Sequence, residues 1–157
     1  MKPVVQTYNP LLNVLWQRDQ RRTAIELYTK ASAAGVYPSQ AESKLNKIDL
    51  HDMSAGAALV ATTVWLEAIV ATSLERPAAL PESFTVVTGQ GHHSRVTGES
   101  EVKDAVTSFL LEELGSPFKA PRNNPGRLQA DQVAVCAWLA ALGPVAERVC
   151  GDEGPAP

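Results

Sequence analysis

Cysteine is scarce: Cys136 and Cys150 are the two thiols in 157 residues, both near the C-terminal end. Two cysteines cannot supply a disulfide framework or a four-cysteine zinc site, and no secretory signal precedes them, so a reduced compartment is expected. Long hydrophobic runs are also missing. The longest weakly polar stretch, Met53 to Leu66, is interrupted by Ser54, Thr62 and Thr63, short of the roughly 18 apolar residues that mark a membrane span. Nor does one charge dominate: the formal net charge is −3 and the pI near 5.6, which argues against a generic nucleic-acid coat. The charge is unevenly placed, however. Residues 1–47 carry 7 − 3 = +4 and residues 48–157 carry 7 − 14 = −7, so a basic arm capable of touching phosphate precedes an acidic unit. With 45% apolar and 20% charged residues, the chain can bury a real core and is not disordered throughout.

Two short helices are expected between Val5 and Ser39. Leu11, Leu12, Leu15 and Trp16 repeat at helical spacing, as do Ala24, Ile25, Leu27, Tyr28 and Ala31 after a polar break at Gln17 to Arg22. Gly35 ends the second helix and Pro38 prevents it from resuming. A lone hairpin has little to bury its apolar face against, so this one is expected to stack on a neighbour. Residues 40–46 are polar and read as a linker.

Beyond the linker the period changes. Ile48-Asp49-Leu50-His51 alternates as a short strand, and Ser54 is placed to cap a long Ala-rich helix with Leu59, Thr63, Leu66 and Ile69 or Val70 on one face. Phe84 to Thr88 reads as a buried strand running into the glycine-rich Gly89 to Gly98 loop. Ser100 is the expected cap of a helix that ends at Gly115. Phe118 to Asn124 and Gly126 to Ala130 are expected to be short strands, followed by a helix from about Gln132 to Leu142 and a flexible tail over 143–157. Strand, helix, strand, helix predicts an α/β fold with a right-handed crossover and parallel neighbours. In such a fold the loops leaving the strand ends share one edge, where ligands bind, so His51-Asp52 and the Gly89 to Gly98 loop should converge.

All three histidines, His51, His92 and His93, fall in those two loops. Histidine is the natural proton-transfer group near neutral pH, and a neighbouring carboxylate favours its charged form. Gly89 and Gly91 let backbone N–H groups approach a phosphate, and a helix N-terminus adds favourable partial charge. These parts suit a phosphodiester. Each also has a plain structural use: the glycines for a turn, Asp49 as a cap for loop amides, the paired histidines as solvated loop residues. Asp49, His51, His92 and Glu99 include metal-ligating types, but no tight ligand spacing is present, so no metal is expected, with Mg²⁺ left open. The Gly-Gln-Gly step is neither a P-loop nor a dinucleotide fingerprint.

Two family resemblances follow from these residues. Val5 to Ser39, with Thr7-Tyr8-Asn9, Ala24, Leu27-Tyr28 and Gly35-Val36-x-Pro38, resembles one pentatricopeptide repeat (PPR). The resemblance implies that Asn9 and Ser39 read a base, in a combination similar to those favouring a pyrimidine, unless the unit is a terminal cap. Ile48-Asp49-Leu50-His51 and Thr88-Gly89-Gln90-Gly91-x-His93-Ser94 resemble the two motifs of the small MutS-related (SMR) domain, and Asn123 to Arg127 resembles its Gly-centred hairpin. The resemblance spans 47–142 and implies a two-layer βαβαββ sandwich with a mixed sheet and a closing helix, preceded by one helical hairpin. It implies a nicking endonuclease acting on RNA, with DNA as a second substrate class. Asp49 would orient or activate, and His51 and His93 would be acid and base. Thr88, Gly89, Gln90, Gly91, Ser94, Arg95 and Lys103 would hold or neutralise the phosphate, beside a basic strip of Lys119, Arg122 and Arg127. A non-catalytic RNA-binding module is the alternative, and a protein-interaction platform anchored on Trp65 and Trp138 a third. The resemblance further implies an organellar protein, chloroplast before mitochondrion, of which this chain is a C-terminal piece whose upstream repeats and transit peptide lie outside it.

Overall fold

In a computed structural model of the chain, residues 5–37, 44–51, 53–89, 97–124 and 126–151 are described. Two helices, α1 (Val5–Gln17) and α2 (Arg21–Ala33), form the N-terminal hairpin. Asp19, at φ 57°, makes the reversal between them. Strand β1 (Lys47–Asp49) leads into the long helix α3 (Ala55–Glu75), and β2 (Ser83–Val87) follows. Helix α4 (Thr97–Ser108), strand β3 (Arg127–Asp131), and helices α5 (Gln132–Leu142) and α6 (Val145–Cys150) complete the chain. The sheet runs β1-β2-β3, with β2 central, parallel to β1 and antiparallel to β3. The expected α/β class and parallel βαβ crossover are therefore present in a mixed sheet.

The strands show why the sheet has one apolar face. Ile48, Phe84, Val86 and Leu128 are buried, while Lys47, Asp49, Ser83, Thr85, Val87, Arg127 and Gln129 alternate with them, as a two-residue pleat requires. Helices α3 and α5 cover the apolar face. Trp65 meets Phe84 edge-on at 6.0 Å and tilts against Phe118 at 6.1 Å, and Phe118 meets Trp138 at 6.3 Å. Edge-to-face packing of this kind adds about 0.5–1.5 kcal/mol per pair beyond area burial.

The α3 helix was expected to show one apolar face, but eleven of its 21 residues are buried and the burial runs round its N-terminal half. Its length and mean hydropathy of 1.7 would suffice to cross a membrane. Here it is instead the shared core helix, with the sheet on one side and the hairpin on the other. Ser54 caps it as expected, accepting the Ala57 N–H at 3.3 Å. Thr62 and Thr63 are tolerated inside because each hydroxyl donates to the carbonyl four residues back, at 2.7 and 2.9 Å.

The hairpin thus finds its neighbour within the chain. Leu12, Trp16, Ala24, Tyr28 and Ala31 belong to the same buried cluster as Ile48, Leu66 and Val86. Gly56 brings α3 against the α1 backbone, and its N–H donates to Asn13 Oδ1 at 2.7 Å. Arg21 stacks over Trp16 at 4.3 Å, donates to the Val149 carbonyl at 2.9 Å, and pairs with Glu113.

Three expectations are corrected. The Phe118 to Asn124 strand reduces to a single bridge: Lys119 exchanges both backbone hydrogen bonds with Gln129, at 2.9 and 2.8 Å. Pro117 and Pro121 flank it and lack the N–H needed to extend the ladder. The helix expected to start at Ser100 begins at Thr97, and it widens into a π-turn over Phe109–Glu113 before Gly115 ends it at φ +59°. The tail expected over 143–157 contains α6, whose Val145 and Val149 are buried one turn apart with Cys150. Residues 152–157 lie outside the described residues. At the end of the expected linker, Asn46 accepts the Thr85 N–H at 2.9 Å and Leu45 accepts the Trp65 indole N–H at 3.0 Å.

Candidate nucleic-acid interface at the strand ends

Parallel pairing puts the C-terminal ends of β1 and β2 side by side. Asp49 stands opposite Val87, and the Leu50 N–H donates to the Val87 carbonyl at 2.8 Å. Leu50 is fully buried, so the chain leaves β1 anchored and His51 emerges directly after it. The Asp49 carboxylate then turns back on the loop. Its Oδ1 accepts the His51 backbone N–H at 3.1 Å and lies 2.6 Å from His51 Nδ1. An ionised carboxylate there holds the proton on Nδ1 and makes Nε2 the basic nitrogen. Both side chains are partly solvent-accessible, 48% for His51 and 31% for Asp49, as a group that exchanges protons with a ligand must be. Asp49 thus contacts both a loop amide and an imidazole nitrogen.

The same edge carries a tight backbone crossing. Thr88 is buried, and both its N–H and its hydroxyl donate to the Gly126 carbonyl, at 2.8 and 3.1 Å. The Thr88 hydroxyl therefore ties β2 to the turn before β3 and is already engaged. Gly126 passes so close that a Cβ on it would lie 1.8 Å from the Gly89 carbonyl oxygen, and Gly89 itself has φ 138°. Only glycine fits at Gly126, and glycine is strongly favoured at Gly89. Asn124 closes the turn by accepting the Gly126 N–H at 3.2 Å. The expected glycine-rich phosphate loop begins at this crossing; Gln90, Gly91, His92, His93, Ser94 and Arg95 lie outside the described residues.

Two other candidates lie in helices. Lys103 is exposed on α4 and forms no hydrogen bond or ion pair with Asp49 or His51. Asn9 lies in the hairpin, where its Oδ1 accepts the hydroxyl of buried Tyr37 at 2.8 Å and its carbonyl receives Ser54 Oγ at 3.5 Å. Its amide oxygen thus serves packing within the hairpin segment, and its carbonyl meets the cap of α3. Ser39 lies outside the described residues. Among the described residues no three histidine, cysteine or acidic side chains gather to hold a metal ion.

Sequence reasoning missed Lys47. Asp49, Val87 and Arg127 form one cross-strand row, and Lys47, Thr85 and Gln129 the next on the same face. The alternation in Lys47-Ile48-Asp49 carried that signal.

No protein-family model matches the chain. Comparison with curated proteins finds several relatives. A chloroplastic pentatricopeptide repeat-containing protein of Arabidopsis thaliana is 31% identical over 134 residues, covering 83% of this chain and 9% of that protein. The chain is similar to PPR-containing proteins. A second chloroplastic PPR-containing protein of the same plant is 29% identical over 148 residues, covering 92% of this chain and 17% of the relative. A third is 33% identical over 93 residues, covering 59% of this chain and 18% of its own length. The chain thus spans less than a fifth of the PPR-containing relatives named here, and the similarity runs well beyond the helical hairpin into the α/β unit.

Proposed function

We propose that the chain is an RNA-binding, RNA-nicking unit of an organellar PPR protein, with residues 47–142 forming an SMR-type domain. The observation that carries this reading is the 2.6 Å contact of Asp49 with His51 Nδ1 at the strand end. It is supported by the Thr88–Gly126 tie and the Gly89–Gly126 crossing, which fix the start of the glycine-rich loop beside that pair. His51 Nε2 takes the proton from the attacking oxygen, either a ribose 2′-hydroxyl or a water. His93 returns a proton to the leaving 5′-oxygen. Backbone N–H groups from Gly89 to Gly91, with Ser94 and Arg95, hold the phosphate, and Lys103 adds long-range positive potential. Asp49 acts through His51, keeping its tautomer and orientation. The hairpin serves as a terminal brace, since Asn9 is committed to Tyr37. The two chloroplastic relatives favour a chloroplast location over a mitochondrial one.

The test uses the 157-residue chain, end-labelled single-stranded RNA and supercoiled plasmid, each with Mg²⁺ and with EDTA. Wild type should nick RNA, and His51→Ala and Asp49→Asn should lose that activity while still binding RNA. Equal activity in all three proteins overturns the catalytic reading. Salt-dependent binding without cleavage by wild type favours the non-catalytic alternative.

A further inference from the structure

Among the described residues no element covers the sheet face opposite the helices, and its charge is not that of the unit around it. Residues 48–157 carry −7, yet this face presents Lys47, Arg127 and, bridged to Gln129, Lys119. Lys47 and Lys119 are exposed. None of the three cations forms an ion pair among the described residues. The Arg127 side chain is half-buried on this face, and its Nε has no hydrogen-bond partner among those residues. The acids on the face are occupied: Asp49 holds His51, and Asp131 caps α5 by accepting the Ala134 N–H at 2.8 Å.

The register fixes the layout. One row reads Lys47, Thr85, Gln129 and Lys119 across the sheet, so at the usual strand spacing the outer lysines are about 14 Å apart. Arg127 belongs to the next row, that of Asp49, about 7 Å nearer the strand ends. A lysine at each side and an arginine toward the Asp49–His51 pair describe a track one nucleic-acid strand wide, leading to the strand-end site. Among the described residues the face carries no aromatic side chain, so those residues offer nothing for bases to stack on and suit a grip on the sugar-phosphate backbone.

We propose that this uncovered face binds the backbone of single-stranded RNA and feeds it to the strand-end site, a proposal that rests on the nucleic-acid reading above. Each phosphate neutralised contributes a slope of about −0.7 to log K against log salt for a single strand. Removing two contacts makes that slope less negative by about 1.4, and lowers affinity at 0.1 M salt by about twentyfold.

The experiment measures fluorescence anisotropy of a labelled 12-nucleotide RNA with the full chain across a KCl series, comparing wild type, Lys47→Gln/Lys119→Gln, and the charge-matched Lys30→Gln/Arg76→Gln. The sheet-face pair should show the reduced slope and weakened binding, and the control pair the wild-type slope. An unchanged slope in the sheet-face pair, or an equal change in both pairs, overturns the track. Tighter, lysine-dependent binding of a duplex of the same sequence overturns the single-strand assignment. Parallel cleavage lanes separate the two claims. If wild type fails to nick but the sheet-face slope falls, the track stands and the catalytic reading fails. If His51-dependent nicking is intact and the slope does not move, the reverse holds.

Discussion

Gly56 offers a direct test of the joint between hairpin and α/β unit. In Gly56→Ala the added Cβ would lie 2.5 Å from Asn13 Oδ1, 2.6 Å from Asn13 Cα and 2.8 Å from its backbone nitrogen. The side-chain oxygen can rotate away, but the α1 backbone cannot, so the two helices must separate. Forced overpacking of this sort costs about 1–3 kcal/mol, and the Gly56–Asn13 hydrogen bond, made at 2.7 Å, is worth about 1 kcal/mol more. Alanine's better helix propensity returns at most about 1 kcal/mol. The net expectation is a destabilisation of about 1–3 kcal/mol, which lowers Tm by about 3–10 °C in a chain of this size. Asn13→Ala alone should cost about 1 kcal/mol, and the double variant should not recover, because the backbone clash persists. Thermal melts followed by near-UV circular dichroism and tryptophan emission, which reports Trp16 against Phe109 at 5.6 Å, measure it. A Gly56→Ala protein that melts at or above the wild-type temperature refutes the close α1–α3 approach and the shared core built on it.

Three more predictions follow from single contacts. Gly126→Ala drives a Cβ into the Gly89 carbonyl, so it should lower Tm and abolish RNA cleavage, checked by melting and by the nicking assay. Trp138→Phe removes the indole donor that reaches the Leu114 carbonyl at 2.8 Å, which should cost about 1–3 kcal/mol in a urea titration. Burial raises the pKa of Glu67, whose Oε1 has no partner among the described residues. A raised carboxyl pKa favours folding below the unfolded-state pKa and disfavours it as pH climbs through the folded value. Glu67→Gln should therefore raise Tm at pH 7, with the gain disappearing near pH 4, as calorimetry at both pH values would show.

Local chemistry was the legible part of the fold. Helix α5 occupies the expected Gln132–Leu142 because Asp131 caps its start and Gly143 ends it at φ +83°. Ser54 likewise announces α3. The parallel crossover followed from strand and helix order alone, and it placed Asp49 and His51 at a strand end. Non-local facts were not legible. That α3 is wrapped by both sheet and hairpin depends on which faces meet, and periodicity in one helix cannot report a second partner. The α6 segment looked like tail because six residues are too few for a periodic signal. The bond that engages Asn9 was not legible because its partner, Tyr37, lies 28 residues away. Lys47 was hidden in a three-residue strand whose face is defined only by its pairing.

In the proposed reaction Asp49 works only through His51. Single-turnover RNA cleavage by wild type, Asp49→Asn, His51→Ala and the double variant tests it most directly. His51→Ala should lose about 10²–10⁴ in rate, Asp49→Asn less, and the double variant should be no slower than His51→Ala alone, since removing an orienting partner costs nothing once the oriented group is gone. Losses that multiply in the double variant, or a His51→Ala protein that cleaves at the wild-type rate, would contradict it.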